Sequence, residues 1–263
     1  MVQRTFPDGW EPELAGRNMA ELTWMEIQLA VKSELGVIIP VGATEQHGPH
    51  LPLGTDYLCA TAVARAVAPD TRMIVAPAVM YGCPSRPLSG GGQGFVGTTS
   101  LRPATFMGIV RDVLTELLRH GFRRFAIVNW HYENGNFLYE AAYEAINSTS
   151  ARLLMFETCL KELSPETIDA VFTGGYLGRA IEHASTYETS IMMHLYPDLV
   201  HFERAADDKA ERRPWYDIIP APADIVPASG VLWKVEGASA EKGARLWAEV
   251  ISPVREALLA DLG

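Results

Sequence analysis

Cysteine is scarce: Cys59, Cys83 and Cys159 are the only three in 263 residues. They show no C-x-x-C spacing, which argues against a disulfide frame or a zinc-thiolate site and leaves reduced, structural thiols. Long apolar runs are also missing. No stretch reaches the roughly 18 apolar residues of a membrane span, and the start, MVQRTFPDGWEPELAG, lacks a basic segment followed by an apolar one. A cytoplasmic protein is expected. Basic clusters are absent as well: 22 Lys and Arg stand against 32 Asp and Glu, for a formal net charge of -10. Such a field repels phosphate backbones, so nucleic acid is not an expected partner. The Gly-rich stretch SGGGQG from Ser89 has neither G-x-x-x-x-G-K-[ST] nor G-x-G-x-x-G, and nucleotide-binding readings fail with them. Close approach of backbone or substrate accounts better for its glycines.

What is present is an ordinary globular composition, 48% hydrophobic and 21% charged, in a length that suits one large α/β domain over residues 1–263. Residues 22–33 have helical apolar spacing and GVIIPVGA follows as a buried-strand run. Helices are expected at Tyr57–Val67, Pro103–His120, Phe137–Ile146 and Tyr187–Tyr196, and strands at 73–79, 125–130 and 152–156. This strand–helix alternation predicts a three-layer α/β/α sandwich around a mainly parallel sheet, because parallel strands need crossover connections. Residues 205–230, rich in Pro, Ala and Asp, read as an irregular surface excursion.

Ligands of such sheets lie beyond the carboxyl ends of the strands, and two clusters fall there. TEQHGPHLPLGTD, Thr44 to Asp56, follows the first strand, and HYENGN follows FAIVNW. Glu45-x-His47 and His131-x-Glu133 mirror one another, and an extended backbone points both members of each pair to one side. Each pair could grip one ion. Asp56 could bridge two ions about 3.5 to 4 Å apart. Two divalent cations carry four positive charges; Glu45, Asp56 and Glu133 carry three negative ones, leaving one for a small anion such as hydroxide. Carboxylate and imidazole donors without thiolate suit zinc or manganese, and the residues do not choose between them. His50 reads as a structural loop residue, while Asn129 and Trp130 read equally as core or as support for a ligand.

TEQHGPHLPLGTD, SGGGQGFVGTTSL from Ser89 to Leu101, VNWHYENGNF from Val128 to Phe137 and IEHASTYETS from Ile181 to Ser190, in this order, resemble the creatininase family of creatinine amidohydrolases. The resemblance spans about Gly36 to Pro197. It implies a three-layer α/β/α fold, a homohexamer and a binuclear manganese or zinc site. Carried onto this chain, Glu45 and His131 hold one ion, His47 and Glu133 the other, and Asp56 bridges. Ser89 and Tyr132 stand beside the substrate, and Glu182 with His183 handles protons.

The substrate wall departs from that pattern. Where creatininase has two pocket tryptophans this chain has Cys159 and Arg179, and Ala180 replaces an aspartate. Losing two aromatic faces removes the lid over a flat ring, and Arg179 brings a planar fork suited to a carboxylate. The expectation is a hydrolase opening a cyclic amide, with an anionic substrate favoured over creatinine. The competing readings are a true creatinine amidohydrolase, a formamide hydrolase or peptide-processing member of the family, and a noncatalytic metal-binding protein. Intact Glu45, His47, Asp56, His131, Glu133, Glu182 and His183 argue against the last.

Overall fold

A computed structural model describes residues 12–158, 162–173, 175–178 and 181–263. Among the described residues four strands form one parallel sheet: β1 (Gly36–Val41), β2 (Met73–Val75), β3 (Arg124–Asn129) and β4 (Arg152–Glu157), in the order β2-β1-β3-β4. Val37 pairs with Phe125 and Val41 with Asn129, so β1 and β3 end level with one another. The chain leaves β1 toward β2 on one side and later places β3 on the other. The crevice beyond the carboxyl ends of β1 and β3 is therefore the topological switch point, where open parallel sheets bind ligands.

Alternation along the strands separates two cores. Val37, Ile39, Val41, Phe125 and Ile127 face a layer that includes α1 (Trp24–Lys32), α4 (Pro103–His120) and α5 (Gly135–Ile146). Ile38, Ala126 and Val128 face α2 (Thr55–Val67), α7 (Thr186–Leu195) and α8 (Ala240–Leu262). A short α3 (Pro87–Gly90) and α6 (Pro165–Val171) complete the α-helices among the described residues. The result is the expected three-layer α/β/α architecture, and no helix among the described residues is long and apolar enough to cross a membrane.

Local sequence explains the scaffold. Thr23 and Glu26 close a reciprocal capping box on α1. Pro103 opens α4, whose Phe106, Val110, Leu114 and Leu117 form one buried stripe, each side chain contributing on the order of 1.5 to 3 kcal/mol of burial. The two short strands expected to run further, from 36 and from 73, stop at Val41 and Val75. The 205–230 excursion contains only short 3-10 turns, Phe202–Arg204 at its entry and Ala223–Ile225 within it.

Candidate active site

The switch-point crevice receives side chains from four elements. The loop after β1 delivers Glu45 and His47, the first turn of α2 delivers Asp56, the end of β3 delivers His131, and the first turn of α7 delivers Glu188. All five are buried. His131 Nδ1 lies 3.1 Å from Glu45 Oε2 and 3.2 Å from Asp56 Oδ2, while His47 Nε2 lies 3.2 Å from Asp56 Oδ1 and 3.6 Å from Glu188 Oε2. Asp56 thus turns one oxygen to each imidazole.

The remaining ring nitrogens are spoken for by the backbone. His131 Nε2–H donates to Cys83 O at 2.9 Å and His47 Nδ1–H to Glu45 O at 3.1 Å. Those bonds fix the tautomers and leave Nδ1 of His131 and Nε2 of His47 as lone-pair donors facing carboxylates, the arrangement that metal-binding histidines adopt. Glu45 Oε1, His47 Nε2 and Asp56 Oδ2 are buried with no hydrogen-bond partner. A Cβ at Gly90 would overlap Glu45 Oε1, so only glycine leaves that oxygen its place. Donor types, lone-pair directions and unsatisfied atoms all fit two divalent cations, one among Glu45, Asp56 and His131 and one among His47, Asp56 and Glu188.

Electrostatics point the same way. Burial alone would push His47 down, yet the carboxylates of Asp56, Glu188 and Glu45 raise it to about 10. His131 also rises well above its ordinary value, against the effect of burial, through Glu45 and Asp56. Burial raises Glu45 and Glu188, opposed by the neighbouring histidines, and burial of Asp56 is outweighed by His47 and His131, which lower it. The crevice is a trap for positive charge.

Glu133 is not beside His47. It faces Nε2 of His131 at 3.5 Å and accepts from the Arg86 amide at 3.0 Å and, through a short bond, from the Ser89 hydroxyl. The reason is local: His131 is extended, but Tyr132–Asn134 winds into a 3-10 turn, so the same-side rule for an extended x-residue spacing does not apply to this pair. Glu188 takes the place beside His47. It lies inside the IEHASTYETS stretch and is the only acid in α7, whose residues from Thr186 to Met192 are all buried; a lone acid on a buried helix was the signal available in the sequence.

Glu182, His183, Ser89 and Tyr132 line the same crevice, a cavity of about 30 Å³, room for roughly two water-sized occupants. Tyr132 is exposed and forms the rim. Glu182 Oε2 accepts from the Tyr187 amide at 3.2 Å. His183 lies over His47, with ring centroids 4.4 Å apart, and burial together with His47 holds it well below its usual pKa. Cys159, Arg179 and Ala180 lie outside the described residues.

Gln46 lies between Glu45 and His47 on the first loop, and no pattern in the sequence marks it. Its Oε1 accepts from Gly48 N at 2.9 Å, and its Nε2 donates to Gly90 O at 3.2 Å and Gly230 O at 3.0 Å. These partners fix the amide orientation. The same Nε2 stands 2.9 Å from His183 Nε2, and because an amide nitrogen has no lone pair to offer, His183 Nε2 is the acceptor and the neutral ring carries its proton on Nδ1. His50, also buried, meets Thr189 Oγ1 at 2.8 Å behind the site.

The creatininase model, creatinine amidohydrolase, matches residues 20–258. The chain belongs to the creatininase family. It is 38% identical to the creatinine amidohydrolase of Pseudomonas putida over 91% of this chain and 95% of that protein. It is 32% identical to the mycofactocin precursor peptide peptidase of Mycobacterium ulcerans, over 82% of this chain and 81% of the relative. A manganese form of creatininase, 36% identical, superposes with a TM-score of 0.87 over 93% of this chain and 98% of that one. A zinc-zinc form of a creatininase variant, also 36% identical, gives 0.88 over 93% and 97%. This creatininase-family chain is therefore a member of a hydrolase family with a candidate metal site, and the family's relatives include both an amidohydrolase of a small molecule and a peptidase.

Proposed function

We propose that the chain is a two-ion hydrolase that cleaves a carbon–nitrogen bond in a small cyclic amide, with an anionic ring favoured over creatinine. The observation that carries this reading is the shared Asp56: one buried carboxylate turned to two imidazoles whose free nitrogens both face it. Glu45, Asp56 and His131 would hold one ion and His47, Asp56 and Glu188 the other, zinc or manganese being the candidates. When bound, such ions supply Lewis acidity to a carbonyl and to water.

The chain's own groups supply the rest. Glu133, fixed by Ser89 and the Arg86 amide, presents a carboxylate at the crevice wall, where it can take a proton from water. Glu133, once it holds the water's proton, can return it to the departing nitrogen, while neutral His183 offers its Nδ1–H as a hydrogen-bond donor and stands with Glu182, beside it in sequence, as the further proton-handling pair. Tyr132 stands at the rim to meet substrate, and Cys159 and Arg179 enter this reading from the sequence alone. A homohexamer accompanies it through the family resemblance and a cytoplasmic location through the sequence, and light scattering on the purified protein checks the assembly.

Proton NMR of the manganese- or zinc-loaded protein with creatinine and with a panel of cyclic amides and imides, half of them bearing a carboxylate, tests the reading. Opening of an anionic ring with creatinine left intact is the expected result; opening of creatinine at an ordinary enzymatic rate would make it a creatinine amidohydrolase. The similarity to a precursor-peptide peptidase places short peptides in the same panel, and turnover confined to them would replace the cyclic-amide reading.

A further inference from the structure

Trp130 immediately precedes His131, and its body belongs to the buried cluster on the α2, α7 and α8 side of the sheet. Its indole N–H, however, is not spent in that core. It donates to Glu188 Oε1 at 3.2 Å, and the ring stacks on Tyr187, the neighbour of Glu188, with centroids 6.0 Å apart and planes 25° from parallel. The other carboxylate oxygen, Oε2, accepts from the Ala184 amide at 2.7 Å and is the one that lies near His47. Ala184 itself is held at φ 54, a left-handed conformation that costs a non-glycine residue energy and persists only where its surroundings enforce it.

Both oxygens of Glu188 are thus oriented from behind by groups with one donor each. An indole N–H is a donor and nothing else, so it can steady a carboxylate but cannot compete for a cation. The end of β3 does two different jobs with consecutive residues: His131 turns toward Glu45 and Asp56, and Trp130 reaches under Glu188, which belongs with His47.

We infer that Trp130 is a positioning residue for one ion of the pair: its N–H fixes the rotamer of Glu188 and so sets the affinity of the His47–Asp56–Glu188 position without affecting the Glu45–Asp56–His131 position. The inference rests on the two-ion reading of the crevice. Partners of this kind behind a metal ligand are worth about 10- to 100-fold in metal affinity. A tryptophan serving only as core would lower stability on replacement and leave the ions alone.

The test is stepwise titration of full-length, metal-stripped protein with zinc, and separately with manganese, against a chromogenic chelator, for wild type, Trp130→Phe and Glu188→Gln. Glu188→Gln identifies which of the two steps belongs to the His47 position. The expected result is that Trp130→Phe weakens that step by about 10- to 100-fold and leaves the other within about threefold. Equal affinities in wild type and Trp130→Phe, or equal weakening of both steps, overturn the inference while the two-ion reading stands. Wild type that binds fewer than two ions overturns that reading and the inference with it.

Should Trp130→Phe fail to fold, wild type carries its own readout. With 15N-labelled tryptophan, the buried indole N–H coupled to Glu188 is expected to shift on filling the His47 position and in no other step, seen as one tryptophan resonance that moves with the step missing in Glu188→Gln. An indole set unmoved by that step rejects the role.

Discussion

Gln46 and His183 meet amide to imidazole across 2.9 Å, and the same amide nitrogen ties down the carbonyls of Gly90 and Gly230. One side chain therefore holds together the Ser89 loop, the strap that carries Gly230 and the histidine of the crevice. Gln46→Met strips the Gly48 amide and two carbonyls of their partner, at roughly 1 to 3 kcal/mol for each buried group left unsatisfied. Gln46→Glu puts a carboxylate against two carbonyls and an imidazole lone pair. Thermal unfolding is expected to show both variants destabilised, and Gln46→Glu more so at pH 8 than at pH 5, where protonation restores a donor.

Glu188 and Glu133 should separate cleanly. Glu188→Gln is expected to lose one of two ions in metal analysis, because it stands beside His47 and Asp56. Glu133→Gln, whose carboxylate is bound to Ser89 and Arg86, should keep both ions and lose turnover by about 100-fold or more, the scale of a positioned proton-transfer group. Loss of an ion in Glu133→Gln would return it to the ligand set.

Asp56→Ala removes the one carboxylate that faces both imidazoles. Metal content should fall for both positions together, with far-ultraviolet circular dichroism unchanged, since Asp56 lies in the first turn of α2 and the helix continues to Val67.

His50 predicts an acid limb to stability. Burial, assisted by His47, lowers its pKa from 6.5 to about 4. Between those values the unfolded chain binds a proton that the folded chain refuses, so stability is present above the unfolded value and is lost as pH falls toward 4, by at most about 1.4 kcal/mol per pH unit. Denaturant titrations of metal-stripped protein should show a shallower loss over that window in His50→Gln than in wild type.

Much of this was legible in the chain. Helix α4 could be bounded to the residue because Pro103 opens it and Gly121 follows its basic last turn. The strand ends pointed to Glu45, His47 and His131, because open parallel sheets bind ligands beyond them, and Asp56 came with the same TEQHGPHLPLGTD stretch. Other features were hidden for physical reasons. Helix α8 is the longest among the described residues, yet Gly243 and Pro253 interrupt its pattern; Gly243 is required because a Cβ there would overlap the Ser190 carbonyl of α7. The surroundings of Glu133 were hidden because a 3-10 turn cannot be told from an extended pair by spacing alone. Trp130 was undecided because the answer depended on which acid would come to lie opposite its N–H, and that acid arrives from a distant helix.

The sheet also divides the energetics of the molecule. Ile38 and Ile39 are neighbours in sequence but belong to separate apolar clusters on opposite faces. Truncations far apart and without shared partners add to within about 0.3 to 0.5 kcal/mol, so a change beneath α8 and one beneath α4 should combine by simple addition, with Leu246 and Leu114 as a suitable pair. The crevice breaks that independence, since it is fed from β1, α2, β3 and α7 at once; double changes there should couple, and the size of the coupling marks where the two halves of the protein begin to act as one.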